Sequence, residues 1–111
     1  MFPEDVEALA RRVLDLARAS GVTLATVESC TGGLVAGALT AIPGSSDVVD
    51  RGFVTYSNAA KTALVGVSAP LIEAHGAVSE PVARAMAEGG LKTAGVGAAV
   101  AITGVAGPGG R

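Results

Sequence analysis

In the stretch "TVESCTGGLVAGAL", residues 26–39, three side chains able to act as nucleophiles stand side by side. Ser29, Cys30 and Thr31 fall where an apolar, β-branched run ends at Glu28 and an apolar helical pattern begins beyond Gly32 and Gly33. A hydroxyl becomes an effective nucleophile when its position is fixed and a base lies near it. The turn after a strand fixes position. The backbone N–H groups that open the next helix can stabilise an oxyanion or bind a phosphate. Two glycines let a ligand approach the main chain closely. The same residues also suit an ordinary helix start, with Ser29 or Thr31 as the N-cap. The stretch is not a Walker loop, because G-x-x-x-x-G-K-[ST] is absent. It is not the G-x-S-x-G elbow either, because Val27 stands two residues before Ser29.

A second candidate is "YSNAAK", in which Tyr56 ends an apolar run and Lys61 follows five residues on. A neutral lysine can accept a serine proton directly, or its ammonium can lower the pKa of a tyrosine that does so. The first role needs the lysine pKa to fall from about 10.4 towards neutrality, which burial in a dry pocket supplies. Ala59, Ala60, Ala63 and Leu64 are consistent with such a pocket. The plain alternative is a surface lysine that keeps its charge in water beside a core tyrosine. The dehydrogenase tyrosine–lysine pair is excluded, since it has one residue fewer between the two and no G-x-G-x-x-G follows a first strand.

The third is "TGVAGPGG", a backbone-rich loop after an apolar run, in which Thr103, Gly104 and Gly107 are candidate ligand contacts. Its alternative is an ordinary surface loop. His75 is the single histidine, and with Cys30 and scattered acids it forms no zinc pattern, so no metal and no cofactor are expected. Glu28 could orient Ser29 or Lys61, or pair with Arg51, and the residues leave that choice open.

These groups need elements to position them. Residues 3–19 predict a helix, with Val6, Leu9, Ala10, Val13, Leu14 and Ala17 on one face. Residues 22–27 predict a buried strand and 32–41 a helix, followed by the turn "IPGSS". A second strand is expected over 51–56. Asn58 is a candidate cap for a helix over 59–65, and another short helix is expected over 69–74. Ser79 caps a longer helix with Val82, Met86 and Gly89 on one side, and 97–103 predicts a third strand. Strands alternating with helices predict an α/β fold with a mainly parallel sheet. Ligands of such sheets sit at the carboxyl ends of the strands, where all three candidate loops fall.

Composition narrows the function classes. At 111 residues the chain is expected to be one domain, spanning 1–111. Half the residues are hydrophobic and 16% are charged, which favours a homo-oligomer that covers part of its surface. The net charge of −2 argues against direct nucleic-acid binding. One cysteine rules out an internal disulfide and suits a reducing cytoplasm, and the acidic start "MFPEDVEALARR" lacks a signal pattern. Uncharged stretches at 29–46 and 93–110 are interrupted by Gly, Pro, Ser and Thr, so no membrane span is expected.

Taken in order and spacing, "ESCTGG", "GSSDVVDRGFVTYSNAAK", "HGAVSE" and "ITGVAGPGG" resemble the CinA carboxy-terminal domain family over about residues 5–111. The resemblance implies a three-layer α/β/α domain that hydrolyses the carboxamide of nicotinamide mononucleotide to nicotinate mononucleotide and ammonia. This is a step of pyridine nucleotide salvage. It implies a serine nucleophile at Ser29, assisted by Tyr56 and Lys61, without a metal. It also implies a further strand and helix beyond residue 111, so the sheet is expected to be truncated at its C-terminal end. The expected oxyanion donors are N–H groups near Thr31, Gly32 and Gly33 or in the 103–107 loop. The substrate phosphate is expected at Ser45, Ser46 or a helix N-terminus. Cys30 is the rival nucleophile, expected to face away from Ser29 because strand neighbours alternate. The alternative to an enzyme is a non-catalytic module that binds a pyridine nucleotide or drives oligomerisation, linked to competence or the DNA-damage response.

Overall fold

The computed structural model describes residues 1–105 and residue 108. Three parallel strands, β1 (Leu24–Glu28), β2 (Val49–Val54) and β3 (Ala98–Ile102), form one sheet in the order β2-β1-β3. Among the described residues five helices cover it: α1 (Glu4–Ser20), α2 (Leu34–Thr40), α3 (Asn58–Val65), α4 (Ala69–His75) and α5 (Glu80–Ala94). A short 3-10 turn, Ser45–Asp47, leads into β2.

Two cores lie on opposite sheet faces, which makes the three layers. Ala10, Leu14 and Ala17 of α1 and Leu39 of α2 pack with Ile42, Val48 and Leu24 on one side. Val27, Val65, Val67, Ile72, Val82 and Met86 pack on the other, with α3, α4 and α5. Successive residues of β1 alternate between these faces. Leu24 joins the α1–α2 layer and Val27 the α3–α5 layer. No described helix is long and apolar enough to cross a membrane.

The predicted elements all form, with shifted ends. Gly21 takes a left-handed conformation at the end of α1, and the Val22 amide donates to the Ala17 carbonyl. Val22 therefore closes the helix rather than opening the strand, and β1 starts at Leu24. Gly32 and Gly33, at φ 59° and 107°, turn the chain ahead of α2, which begins at Leu34 rather than residue 32. Ser57, not Asn58, caps α3, its hydroxyl accepting the Ala60 amide at 3.0 Å. Ser79 caps α5 as expected, accepting from Val82.

Close packing makes one glycine decisive. A Cβ on Gly89 of α5 would stand 1.9 Å from the Val65 carbonyl oxygen at the end of α3. That obstacle is backbone and cannot rotate away. Gly89→Ala is expected to destabilise the fold by about 3 kcal/mol, read from urea unfolding.

One polar group in the α1–α2 layer has no partner among the described residues. The Thr26 hydroxyl is buried and unbonded, and a Cβ on Gly52 of the neighbouring strand would lie 2.6 Å from it. An unsatisfied buried hydroxyl costs about 1–3 kcal/mol. Thr26→Val keeps the shape and removes the cost, so thermal unfolding should show a stabilisation of about 1 kcal/mol.

Candidate active site

The carboxyl ends of β1, β2 and β3 and the N-terminal part of α3 enclose a cleft of about 320 Å³. Its wall includes Ser29, Cys30, Tyr56, Lys61, Thr103 and Gly104. Three segments far apart in sequence meet here because every strand of a parallel sheet ends at the same edge. The connection after β1 runs to one side of that strand and β3 lies on the other, so β1 sits where the strand order reverses.

Ser29 follows β1 directly and is 7% exposed. Its amide donates to the Ile102 carbonyl at 2.9 Å, and its carbonyl accepts the Gly32 amide at 3.0 Å. These bonds pin the residue to β3 and close a tight turn. Alternation along β1 carries Ala25, Val27 and then Ser29 towards the α3–α5 layer. Lys61 stands in that layer.

Lys61 is 1% exposed, which overturns the surface-lysine alternative. Its Nζ lies 3.3 Å from Ser29 Oγ, 3.0 Å from the Thr55 carbonyl oxygen and 3.5 Å from that of Tyr56. No carboxylate lies within 4 Å of it among the described residues. Burial pushes the Lys61 ammonium pKa below its ordinary value, against a smaller opposing pull from Cys30. A neutral amine has two N–H donors and one lone pair. The two carbonyls can take the donors, leaving the lone pair for the Ser29 proton.

Tyr56 is placed differently from a tyrosine that relays this proton. Its side chain is 71% exposed on the rim of the cleft, and its carbonyl, not its phenol, meets Lys61. Cys30 does not turn away from Ser29. The strand ends at Glu28, so alternation no longer governs residue 30, and both side chains line the cleft. A Cβ on Gly104 would stand 3.1 Å from Cys30 Sγ, so the post-β3 loop rests on the thiol.

Thr103 lines the cleft, and its hydroxyl donates to the Ala77 carbonyl at 2.8 Å, tying this loop to the segment before α5. Gly107 lies outside the described residues. Thr31 donates its hydroxyl to Glu28 at 2.6 Å, so it is committed within the turn. Gly32 and Gly33 supply positive φ there.

The serine pair needs correction for a single chain. Ser45 and Ser46 lie in the turn before β2, at the opposite end of that strand from Thr55 and Lys61. Six strand residues at about 3.3 Å each separate the two ends. Ser45 is buried with its hydroxyl donating to the Thr40 carbonyl. Arg18 holds the same turn through Asp47 and the Gly44 carbonyl.

The Glu28 carboxylate makes no direct bond to Ser29, Lys61 or Arg51. Arg51 pairs with Asp50 instead. The Glu28 side chain points into the α1–α2 layer, where its oxygens accept from Thr31, Val35 and Ala36. Burial pushes its pKa up, but bonds from the Thr31 hydroxyl and the Ala36, Val35 and Gly33 amides outweigh that and leave it below the ordinary carboxylate value. A helix start whose amides already serve an internal carboxylate is not a phosphate cradle.

Sequence reasoning missed Asn58 as part of the cleft wall and the Thr55 carbonyl as the seat of the lysine. Asn58 directly follows the cap Ser57, and its residue type suits a cap equally well. A backbone carbonyl carries no sequence signal. His75 is exposed at the end of α4, away from the cleft wall. Among the described residues no group of three His, Cys, Asp or Glu could hold a metal.

A model of the CinA C-terminal domain family matches residues 6–111. A Symbiobacterium thermophilum protein described as competence-damage inducible is 56% identical over 99% of this chain and 26% of its own length. The chain thus spans about a quarter of the curated relatives it matches. The solved competence/damage inducible protein CihA from Agrobacterium tumefaciens is 54% identical, with a TM-score of 0.91 over 99% of this chain and 67% of that one. A CinA superfamily protein from Escherichia coli is 36% identical, with a TM-score of 0.94 over 100% of this chain and 66% of that one.

Proposed function

The chain belongs to the CinA C-terminal domain family, and from that premise we propose that it is an amidohydrolase converting nicotinamide mononucleotide to nicotinate mononucleotide and ammonia through a serine acyl-enzyme. The observation that carries this reading is a buried lysine amine, without a carboxylate partner among the described residues, 3.3 Å from the hydroxyl of a buried serine. Burial of a cation without a counterion is costly. It gains a purpose if the group works as a neutral base.

In the proposed reaction Ser29 Oγ attacks the carboxamide carbon while Lys61 Nζ takes its proton. The tetrahedral intermediate collapses with cleavage of the C–N bond, and Lys61 returns the proton to the departing ammonia. Water then attacks the acyl ester, Lys61 takes a proton from it, and Ser29 is released by receiving that proton. The amides of Cys30 and Thr31 donate to no acceptor among the described residues and are the candidate oxyanion donors. Tyr56, on the rim, is assigned to enclosing the bound pyridine rather than to the base itself. Association of copies is part of the same proposal. Leu9, Leu16 and Leu34 are exposed on α1 and α2, more apolar surface than an isolated domain needs.

The test is ammonia release from nicotinamide mononucleotide by this chain, followed with a coupled assay. Thermal stabilisation by the nucleotide with no ammonia released would favour the binding-module alternative.

A further inference from the structure

We infer that Glu28 is a positioning residue: its buried carboxylate holds the turn that presents Ser29, and its main chain holds the peptide on which Lys61 rests. The readout with nicotinamide mononucleotide rests on the amidase reading above.

Glu28 is 1% exposed and has no basic partner among the described residues. Its donors all come from the next eight residues. Oε1 accepts from the Thr31 hydroxyl at 2.6 Å and the Val35 amide at 2.9 Å, and Oε2 accepts from the Ala36 amide at 2.9 Å. The common helix cap is a short side chain immediately before the first turn. Here Gly33 occupies that place and caps nothing with a side chain. A glutamate at the end of the strand does the work from across the turn. Residues 29–33 are therefore folded around its carboxylate, and Ser29 is the first of them.

The main chain of Glu28 reaches the base. Its carbonyl accepts the Thr55 amide at 2.8 Å, and the Thr55 carbonyl accepts Lys61 Nζ at 3.0 Å. One residue thus anchors both partners, the nucleophile through its side chain and the base through its backbone. Reacting groups held this way are sensitive to small displacements, since a shift of about 1 Å can cost about 100-fold in rate.

Glu28→Gln replaces an acceptor oxygen with an N–H donor facing other donors. Thr31→Val removes one donor, and Thr31→Ser keeps it. Each variant of the full chain is reacted with a fluorophosphonate probe, with Ser29 labelling followed by mass spectrometry. Its kcat and KM for nicotinamide mononucleotide are measured below its melting temperature. Glu28→Gln is expected to slow labelling and lower kcat by about 30- to 100-fold, with KM within threefold. Thr31→Val should lose about tenfold and Thr31→Ser should recover to within about threefold of wild type. Should Glu28→Gln not fold, the Thr31 pair decides. A lower melting temperature with unchanged labelling and kcat in Glu28→Gln and Thr31→Val would make Glu28 a cap only and overturn the inference. Wild type that labels at Ser29 but releases no ammonia refutes the substrate alone, and the labelling comparison still decides the role of Glu28. Wild type that does neither overturns both.

Discussion

Ser29→Ala is expected to lower ammonia release from nicotinamide mononucleotide by about 10⁴-fold or more, because removal of a nucleophile forfeits the whole covalent route. KM should change little, since the hydroxyl contributes to the transition state far more than to ground-state binding. The neighbouring thiol provides the internal comparison. Cys30 shares the cleft wall with Ser29, so position alone does not disqualify it. What separates them is the base, for Lys61 Nζ bonds to Ser29 Oγ. Cys30→Ala should keep at least about 100-fold more activity than Ser29→Ala, and the reverse order would move the nucleophile to Cys30. Lys61→Met should lower kcat by about 10²- to 10⁴-fold, the usual contribution of a positioned base.

The second large effect is on pH dependence. The proposed base works only when neutral, so kcat/KM should rise with pH and level off once Lys61 of the free enzyme has lost its proton. The midpoint should fall below 10.5, the ordinary value for lysine, because burial disfavours the ammonium. Stability carries the same signature with a definite sign. Below the folded-state pKa both folded and unfolded chains hold the proton, and the cost of burying the charge is fully present. Between the folded-state pKa and 10.5 the unfolded chain binds more protons, so the unfolding free energy rises with pH. Above 10.5 the cost is gone. Urea unfolding of wild type and Lys61→Met at several alkaline pH values isolates this contribution as their difference. A difference that stays flat with pH would mean that Lys61 keeps an ordinary pKa and is not the base.

Much of the scaffold was legible in the sequence. The apolar face of α1 is written at helical spacing, and the structure buries Ala10, Leu14 and Ala17 from it. Val82 and Met86 on α5 are fully buried as their spacing predicts. Errors of one or two residues fell at element ends. There glycine geometry and caps decide the boundary, as at Gly21, Gly33 and Ser57. Tyr56 looked like a core residue at a strand end, yet β2 stops at Val54 and the side chain emerges on the rim. The serines of the "IPGSS" turn looked suited to a phosphate, but chain direction puts that turn at the wrong end of β2 within one chain.

The sequence by itself determined the α/β class, the parallel sheet and the edge where chemistry would gather. Those follow from local periodicity and from the order of strands and helices. It also supplied the candidates Ser29 and Lys61. Only the tertiary structure decided that the lysine is dry, that its amine meets the serine, that Cys30 shares the cleft and that Glu28 braces the turn. Each depends on which face of β1 a side chain leaves from and on how α3 packs against the sheet. Ser29 and Lys61 are 32 residues apart, and no local pattern encodes a contact across that separation. The same aliphatic stem on Lys61 fits a wet surface or a buried pocket. Packing of α3 over the ends of β1 and β2 selects the pocket, and with it the lowered lysine pKa on which the proposed chemistry depends.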